Sequence, residues 1–570
     1  MLAERAARGR RVGAGGAVLY ARKEVRAESQ RTLAAARRRL WMCTAVTMAV
    51  GAGVVAVDAV RLRRPPAPEP RPAPRAAGAY ATGGAPPLAA VVERAFTADL
   101  PDWVVALNAE IAAAAAGDGG AYRRAVAAKR AARDALLSDA VRAALGADAA
   151  ARVGDLLSRA EACGRAREGP PLDRASAALL DAVSAANDAF VAAGVGLFVD
   201  ADVVAPPGGP RRVLLFSFRV VHVALHRDVS PPIRVLHVRK LDDLNWSRPL
   251  LGFASDHFRD AVVLLDQVDA ALVSDLLPAM APGARIDLYG DGDAATEDRR
   301  AVEERAGAIV RAEYTAALGD RARQAARVGA LLAARRDLFA QWNRRLAGTG
   351  ARLAAPRTLR VRDVDALLAD LAPVASEPQR RQLADIERAL TAAPAVAAVD
   401  AARRVLVAAV ERHEVRHRLD ARGAPRPVPP ALAAYVGPER DGRGRARPIA
   451  QVAREEMSAY LAGIARDPAT PLTSFTLLCR FAFDPDRWGA AETYAALAIV
   501  AELAREIGIA IDGPLIERGV VRRDRVARAY LALTERGAAE LAAAAERAWR
   551  AAFGSALAPA APPGSSAASR

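Results

Sequence analysis

One change of hydrophobic periodicity limits the fold of this chain more than any other sequence feature. Between residues 88 and 193, apolar residues recur every three or four positions, for example at Ala125, Ala128 and Ala132, which predicts packed helices. Between residues 194 and 245 the pattern changes to short apolar runs separated by Pro- and Gly-rich turns, the runs being 197–199, 213–218 and 233–238. Such runs predict three antiparallel strands. The expected fold class is therefore mainly α with a small antiparallel β-sheet in the middle, an α+β arrangement.

Helical spacing returns after the strands and continues through most of the remaining chain. We predict helices over 258–277 and 303–346, and one short strand over 358–361. With 570 residues, the chain is long enough to form more than one hydrophobic core. The predicted order is a helical region (88–193), an antiparallel β region (194–245), a second helical region (246–390), a helical domain (391–555) and a disordered tail (556–570).

The N-terminal part of the chain carries a membrane signal. A basic segment (1–40) precedes an apolar segment (41–60), and a Pro-rich linker (61–87) follows. The uncharged run is about 18 residues long, which is the lower limit for a transmembrane helix and longer than most signal-peptide cores. A signal-cleavage site could end at Ala59, yet the arginines that follow it are more typical of a retained anchor.

We therefore expect either a membrane anchor with the folded body outside the cytoplasm, or an exported protein whose signal is removed. Arginine is dense on both flanks of the apolar segment, so the sequence does not fix the orientation of the segment. A buried helix of a soluble protein is the remaining interpretation, and the neighbouring Pro-rich stretch argues against it.

The high positive charge does not indicate a nucleic-acid partner. The formal net charge is +16 at pH 7, but Arg is spread along the whole chain with Asp and Glu interleaved. The sequence lacks a basic stripe studded with aromatic residues on which bases would stack. Cys43, Cys163 and Cys479 have no paired spacing, so neither a disulfide framework nor a Cys-based zinc site is expected.

Two of the 6 histidines stand in one short motif, His413-Glu414-Val415-Arg416-His417. On a helix, residues four positions apart lie on one face, so both imidazoles can reach one tetrahedral metal ion. This helix is predicted to begin near Pro394 and to end before Gly423. Apolar residues upstream share the face of the two histidines, so the imidazoles continue a buried stripe. Histidines that merely face the core are the alternative, but such polar groups are hard to satisfy without a metal.

A catalytic zinc ion needs a third protein ligand and an open position for water. The metzincin pattern is excluded, because Asp420 and Gly423 occupy the places of its glycine and its third ligand. A following predicted helix offers two adjacent carboxylates, Glu455 and Glu456. Glu456 shares an apolar face of that helix, whereas Glu455 lies on a more polar face. We therefore predict Glu456 as the third ligand, beside the two histidines.

Residues 390–510 resemble the gluzincin branch of zinc metallopeptidases, in which an H-E-x-x-H helix is followed by a helix that supplies a glutamate. The resemblance implies a Zn²⁺ ion bound by His413, His417 and Glu456. It also implies that Glu414 is the general base for a zinc-activated water that hydrolyses a peptide bond in a peptide or protein substrate. A further donor to the oxyanion is implied, for which Tyr460 and Tyr435 are the candidates.

The arginines around the motif depart from the family pattern. Arg416 lies between the two predicted ligands, where an uncharged residue is usual, and Arg412 and Arg418 add charge to the same turn. Their presence motivates an alternative function, a non-catalytic helical envelope scaffold whose metal site is structural or degenerate. Asp420, one turn after His417, either orients that imidazole by accepting a hydrogen bond or pairs with Arg416.

Three weaker candidate sites lie in or near the predicted strands. His222, His226 and His237 could bind a second metal, although partly buried strand histidines are the simpler interpretation. Asp200 and Asp202 alternate along a strand, as charged residues at a sheet edge commonly do. Residues 291–293 indicate a turn, and no complete calcium loop follows them.

Overall fold

The computed structural model describes residues 83–557, except for 86, 205–208, 228, 230, 243–249, 256–257, 291–295, 348–351, 424–425 and 443. The basic N-terminal segment, the predicted transmembrane or signal helix over 41–60, and most of the Pro-rich linker lie outside the described residues, as does the predicted tail beyond Leu557. Within the described part of the chain, no helix is both long enough and apolar enough to cross a membrane.

The first part of the described chain is helical, as its alanine-rich spacing predicts. Its helices are α1 (Ala90–Arg94), which continues through a π turn (Ala95–Asp99) into α2 (Leu100–Ala116), then α3 (Gly119–Leu136), α4 (Asp139–Leu145), α5 (Ala147–Arg165) and α6 (Pro170–Ala193). Local signals set the ends of these helices. Asp118 accepts hydrogen bonds from the first backbone amides of α3, and Gly194 closes α6 in the left-handed conformation.

Among the described residues, 6 strands form one sheet in the order β1-β3-β4-β6-β5, with β2 also pairing with β3. The strands are β1 (Gly83–Gly84), β2 (Leu197–Val204), β3 (Arg212–His226), β4 (Ile233–Lys240), β5 (Gly252–Ala254) and β6 (Ala261–Leu264). Strands β2, β3 and β4 confirm the three predicted antiparallel strands. Strand β6 runs parallel to β4, so the sheet is mixed and larger than predicted.

The prediction of a helix over 258–277 was wrong at its start, and the helical region predicted over 246–390 also contains the unpredicted strands β5 and β6. Residues Ala261–Leu264 are all buried and form β6, because helical layers cover both faces of the sheet at this strand. A strand buried on both faces reads as a continuous apolar run, which periodicity cannot distinguish from a buried helix. The end of the predicted linker also differs, since Gly83–Gly84 pairs with β3.

The predicted strand over 358–361 is absent from the described structure, which has bends there. The guanidinium group of Arg335 donates hydrogen bonds to the carbonyl oxygens of Pro356, Thr358 and Leu359. These carbonyls are therefore satisfied by one buried side chain, which also pairs with Glu387 at 3.0 Å. A segment whose carbonyls bind an arginine in this way does not need a neighbouring strand.

Helices make up most of the described chain after β6. They are α7 (Leu265–Ala271), a π turn (Leu272–Leu276), α8 (Leu277–Ala279), α9 (Glu297–Leu318), α10 (Ala322–Arg345), α11 (Val364–Leu371), α12 (Glu377–Leu390), α13 (Ala393–Arg422), α14 (Pro430–Val436), α15 (Pro448–Arg466), α16 (Pro471–Phe483), α17 (Ala491–Ile507), α18 (Arg523–Glu535) and α19 (Ala538–Phe553). A small hairpin, β7 (Ile516–Glu517) and β8 (Val520–Val521), precedes α18. The described fold is thus mainly helical with a central sheet.

At strands β4 and β6, two hydrophobic cores lie on opposite faces of the sheet. The first combines helices α1–α6 with one sheet face, to which Phe198, Phe216 and Val238 belong. The second combines the later helices with the other face, to which Val235 and Val263 belong. Burial of both sheet faces excludes water from the ladder and suits the parallel β4–β6 pair. Helix α13 packs on β4, β5 and β6 from the second side, and α15 packs against α13.

Candidate metal centre

Helix α13 presents two different faces. An α-helix has 3.6 residues per turn, so side chains three or four positions apart share a face, while those one or two positions apart point in other directions. The motif helix begins at Ala393, with Pro394 in its first turn, and ends at Arg422 before Gly423, as the sequence predicts. His413 and His417 contact α15, where Glu456 lies beside both imidazoles. The sheet-facing side carries Glu411, Glu414 and Arg418, whose contacts are with β3, β4, β5 and the residue that follows β5.

The structure brings His413, His417 and Glu456 together. The two Nε2 atoms are 3.0 Å apart, Glu456 Oε2 is 3.4 Å from His413 Nε2, and Glu456 Oε1 is 3.7 Å from His417 Nε2. Donor atoms bound to one tetrahedral zinc ion, at about 2.0–2.2 Å from it, are roughly 3.3 Å apart. The three residues therefore fit a zinc ion with little rearrangement.

The neighbouring carboxylate of Glu455 points elsewhere. Arg454 donates a hydrogen bond to Glu455 at 3.1 Å, and Gln451 donates another at 3.4 Å. Both partners lie on α15 itself, on the side that the sequence identifies as more polar. The distinction drawn between the two adjacent glutamates therefore corresponds to two different surroundings in the structure.

Burial keeps both motif imidazoles in the form that binds a metal. It lowers the pKa of His413 to about 4, against a raising effect of the Glu492 carboxylate. Burial likewise lowers the pKa of His417 to about 4, with Glu456 acting in the opposite direction. Both imidazoles are neutral at pH 7 as a result, and a metal ion need not displace a proton from either ring.

Glu414 is a buried carboxylate with an unsatisfied oxygen. Its side chain lies against Gly252 of β5, only 4% of the residue is exposed, and its Oε2 atom has no hydrogen-bond partner among the described residues. Burial, with a smaller contribution from Glu456, raises the pKa of Glu414 well above its ordinary value. An orphaned acid beside three potential ligands fits a site completed by a cation, since positive charge there would stabilise the carboxylate.

Gly252 is required where β5 passes over Glu414. A Cβ atom on Gly252 would lie 2.6 Å from the carbonyl oxygen of Val262 and 2.8 Å from Cγ of Glu414. We expect Gly252→Ala to reduce the free energy of unfolding by about 1–3 kcal/mol, because neither β6 nor the buried Glu414 can easily move. Denaturant unfolding would measure the loss.

A matched control for this substitution is Gly463→Ala in the interior of α15, where a Cβ would meet nothing within 4 Å. There the free energy of unfolding should rise by about 0.5–1 kcal/mol, because alanine favours the helix. Equal stability of the Gly252→Ala and wild-type proteins would contradict the close approach of β5 to Glu414.

Zinc binding is expected to release a proton from Glu414 at pH values between the ordinary pKa of glutamate and the raised pKa of this carboxyl group. The metal-free protein holds this acid protonated to a higher pH than usual, and the charge of a nearby zinc ion would lower its pKa again. Calorimetric titration with zinc in two buffers of different ionisation enthalpy counts the released protons. The count should be smaller for Glu414→Gln than for the wild type, and equal counts would show that Glu414 is already ionised.

The two candidate tyrosines have different surroundings. The ring of Tyr460 packs edge to face on His413 with centroids 4.5 Å apart, and burial and Glu456 raise its pKa well above the ordinary value. The pKa of Tyr435 is raised by burial and by Glu502, which lies ten residues after Glu492 on α17, about 15 Å along a helix. Tyr460 therefore contacts one of the three potential ligands, whereas Tyr435 is influenced by a different carboxylate, Glu502.

The arginines of the motif turn have partners outside the three potential ligands. Arg412 pairs with Asp467 at 2.7 Å, and Arg418 donates a hydrogen bond to the carbonyl oxygen of Ser255, directly after β5, at 2.7 Å. Arg416 pairs with Asp420 and stacks on the Trp549 ring, with its guanidinium carbon 5.1 Å from the ring centroid. Arg412 and Arg418 thus bind groups outside α13, whereas Arg416 also acts electrostatically on His417 and adds to the effect of burial in lowering its pKa.

Asp420 pairs with arginines in the structure. It accepts hydrogen bonds from Arg416 and from Arg426, the latter at 3.1 Å. No hydrogen bond joins it to His417 among the described residues. Of the two predicted roles of Asp420, the structure therefore contains the ion pair with Arg416 and not the hydrogen bond to the imidazole.

The other weak candidates are not brought to the site. The three strand histidines do not form the second metal site, because the described residues contain only one group of ligand atoms close enough for a metal ion. On β2, Asp200 and Asp202 each accept a hydrogen bond from the next backbone amide. Residues 291–293 lie outside the described residues.

Several residues near the site were missed in the sequence. Glu492 lies in the first turn of α17, where an acidic residue is usually explained by its favourable interaction with the helix dipole. Only the packing of α17 on α15 brings Glu492 near His413 and Tyr460. Gly252 is the first residue of the short strand β5 and has no motif around it. Glu411 lies two residues before the motif and reads as a surface charge on a helix.

Comparison of the chain with protein-family models, with curated proteins and with solved structures finds no match. The functional argument for this site therefore rests on its residues and their geometry.

Proposed function

We propose that this chain is a zinc metallopeptidase that hydrolyses peptide bonds at the site formed by α13 and α15. The observation that carries the proposal is the convergence of His413, His417 and Glu456 beside the buried carboxyl group of Glu414. Two neutral imidazoles and one carboxylate are a donor set of catalytic zinc sites, and they leave a coordination position for water.

Zinc bound there would supply a Lewis acid that lowers the pKa of a coordinated water and polarises the scissile carbonyl group. The residues of the chain then divide the remaining work. Glu414, ionised once the cation is present, takes a proton from the water as its oxygen forms a bond to the carbonyl carbon. Glu414 next gives that proton to the amide nitrogen as the C–N bond breaks, so the products are one carboxylic acid and one amine.

Tyr460 is the best-placed donor for the negative charge that develops on the carbonyl oxygen. Its ring is held against His413, and its raised pKa keeps the phenol protonated at neutral pH. A protonated phenol can donate a hydrogen bond to an oxyanion, which stabilises the transition state more than the substrate. We assign this role to Tyr460 and not to Tyr435.

The arginines that motivated the scaffold alternative have partners other than the three potential ligands. Arg412, Arg416 and Arg418 bind an acid, an aromatic ring and a backbone carbonyl. Their role is to hold α13 against its neighbours.

The proposed location, anchored in or exported across a membrane, depends on residues 41–60 and stays a prediction from sequence.

The proposed function is tested by incubating the full-length chain with a mixed peptide library and identifying new termini by mass spectrometry. We expect cleavage that stops when a chelator removes the metal and returns when zinc is restored. A protein that holds zinc through His413 and Glu456 yet cleaves no member of the library would overturn the proposal and favour a structural metal site.

A further inference from the structure

The end of α10 and the segment that follows it are strongly basic. Within residues 335–347 and 352–362, eight residues are arginine and only Asp337 is acidic. Four of these arginines are exposed and form no ion pair with another described residue, namely Arg336, Arg344, Arg357 and Arg360. Together these four form the basic surface. Their charge is available to an external partner.

Hydrogen bonds fold the segment after α10 back along that helix. The side-chain amide of Asn343 donates to the carbonyl oxygen of Leu353 at 2.9 Å and accepts from its backbone amide at 2.7 Å. Eight residues earlier on the helix, Arg335 donates to the carbonyl oxygens of Pro356 at 3.2 Å and Thr358 at 2.9 Å. The segment therefore runs antiparallel to the last part of α10 over about 12 Å.

This arrangement gathers the four arginines beside one another. Arg336 and Arg344 each directly follow a helix residue that binds the segment, so both lie on the same flank of it. The other two arginines belong to the segment itself, at and just after the carbonyls that Arg335 binds. Asp337 is turned by about 200° from Arg335 around the helix axis, so the one acid in this part of the chain points away from the segment.

The acids close to the basic surface already have other partners. Arg335 and Glu387 of α12 form an ion pair at 3.0 Å in which both side chains are 2% exposed, so this arginine supports the surface from below. On the exposed side of α12, Glu377 pairs with arginines of its own helix, and so does Asp385. The charge of the basic surface is therefore not neutralised from α12.

We propose that the basic surface binds the anionic headgroups of a lipid bilayer. A guanidinium group stays charged at physiological pH, and its planar fork of donors matches the oxygens of a phosphate group. Several exposed arginines spread over about 12 Å match a bilayer better than one small ligand, because a bilayer offers many phosphates in one plane. The surface is separate from the metal centre, and the proposal does not rest on the proposed function.

Two observations favour a membrane over a nucleic acid. The aromatic residues of α10 near the surface, Phe339 and Trp342, are 3% and 0% exposed, so neither ring is open to stack on a base. The predicted membrane segment over 41–60 also lies close in sequence to Gly83, where the described chain begins. Such a segment would hold the folded body near a bilayer, where the basic surface could then orient it.

Fluorescence quenching at the basic surface of the full-length chain tests this inference. A fluorophore attached through Ala354→Cys, an exposed position beside the surface, is mixed with vesicles whose headgroups carry nitroxide quenchers. Cys43→Ser is introduced as well, and Cys163 and Cys479 are buried, so the label takes one position. Because nitroxides quench only at close range, attachment through the N-terminal segment alone gives no signal.

We expect quenching by vesicles of equal parts phosphatidylglycerol and phosphatidylcholine, and almost none by phosphatidylcholine alone. Quenching should disappear in about 1 M salt, where charges are screened beyond about 3 Å. Changing the four arginines to glutamine should lower the ratio of bound to unbound surface by more than about 100-fold, since each contributes about fivefold. Changing the same four to lysine should keep most of the quenching.

A matched control removes four exposed arginines from α3 and α5 by the same substitution, namely Arg123, Arg124, Arg130 and Arg152. The control should be quenched like the wild type, and circular dichroism establishes that each variant is folded. Equal quenching by neutral and anionic vesicles, or an equal loss in the control, would overturn the inference. Duplex DNA is titrated in parallel. Binding to DNA that needs the four arginines, without quenching by vesicles, would assign the surface to nucleic acid instead.

Discussion

Replacing Glu414 by glutamine is expected to lower the rate of peptide hydrolysis by about 10²–10⁴-fold while leaving zinc bound, the range that general-base catalysis supplies. Glu414 is not one of the three potential ligands, and its carboxyl group interacts electrostatically with one of them, Glu456, so the amide removes a proton acceptor and no metal donor. Rates for a cleaved library peptide, measured beside the zinc content of each preparation, would establish the difference.

Stability provides a further check on Glu414→Gln. The buried carboxyl group is destabilised in its charged form, and a neutral amide of the same shape avoids that cost. The metal-free variant should therefore resist denaturant at least as well as the metal-free wild type, most clearly as the pH rises above the ordinary pKa of glutamate. Glu455→Gln on α15 is the matched control, because Glu455 pairs with Arg454 and should keep full activity. Full activity in Glu414→Gln would assign the base to another residue.

Removing one of the three potential ligands should have the largest effect on metal binding. We expect His413→Ala and Glu456→Ala each to weaken zinc binding at this site by more than about 100-fold, since changes in residues that merely orient a ligand already cost 10–100-fold. The contacts of 3.4 Å and 3.7 Å from Glu456 to the two imidazoles are the basis of this expectation. Competition with a chromogenic chelator would measure the affinity.

The adjacent glutamate again supplies the control. Glu455→Ala changes the same helix by the same substitution, but the Glu455 side chain accepts hydrogen bonds from Arg454 and Gln451. It should leave zinc affinity within a few-fold of the wild type, whereas hydrolysis should disappear only with Glu456→Ala. Weakened binding in Glu455→Ala with normal binding in Glu456→Ala would reverse the assignment of the third ligand.

Much of the secondary structure was predictable because it depends on local periodicity. The helices of residues 88–193, the three antiparallel strands and the limits of α13 at Pro394 and Gly423 all follow from spacing, capping and turn residues. Strand β6 was not predictable in this way, since a run buried on both faces has no alternation to detect. The segment over 358–361 was mistaken for a strand because its partner, Arg335, lies more than twenty positions earlier in the chain.

The residues of the candidate site were likewise predictable where they depend on one helix and not where they depend on packing between elements. Helical geometry alone puts His413 and His417 on one face, and the apolar stripe of α15 alone favours Glu456 over Glu455. The contact of Tyr460 with His413 depends on a distance between two helices. No spacing rule gives that distance.

The sequence by itself therefore determined which side chains share a face of α13 and of α15, because that depends only on the rise and turn of one helix. The tertiary structure alone decided what those faces meet: Gly252 over Glu414, Glu492 beside His413, and His226 and His237 around Glu411. These contacts join residues up to 185 positions apart (411 minus 226). They form only when α13 is packed between the sheet and α15, because burial of the two cores sets the position of that helix.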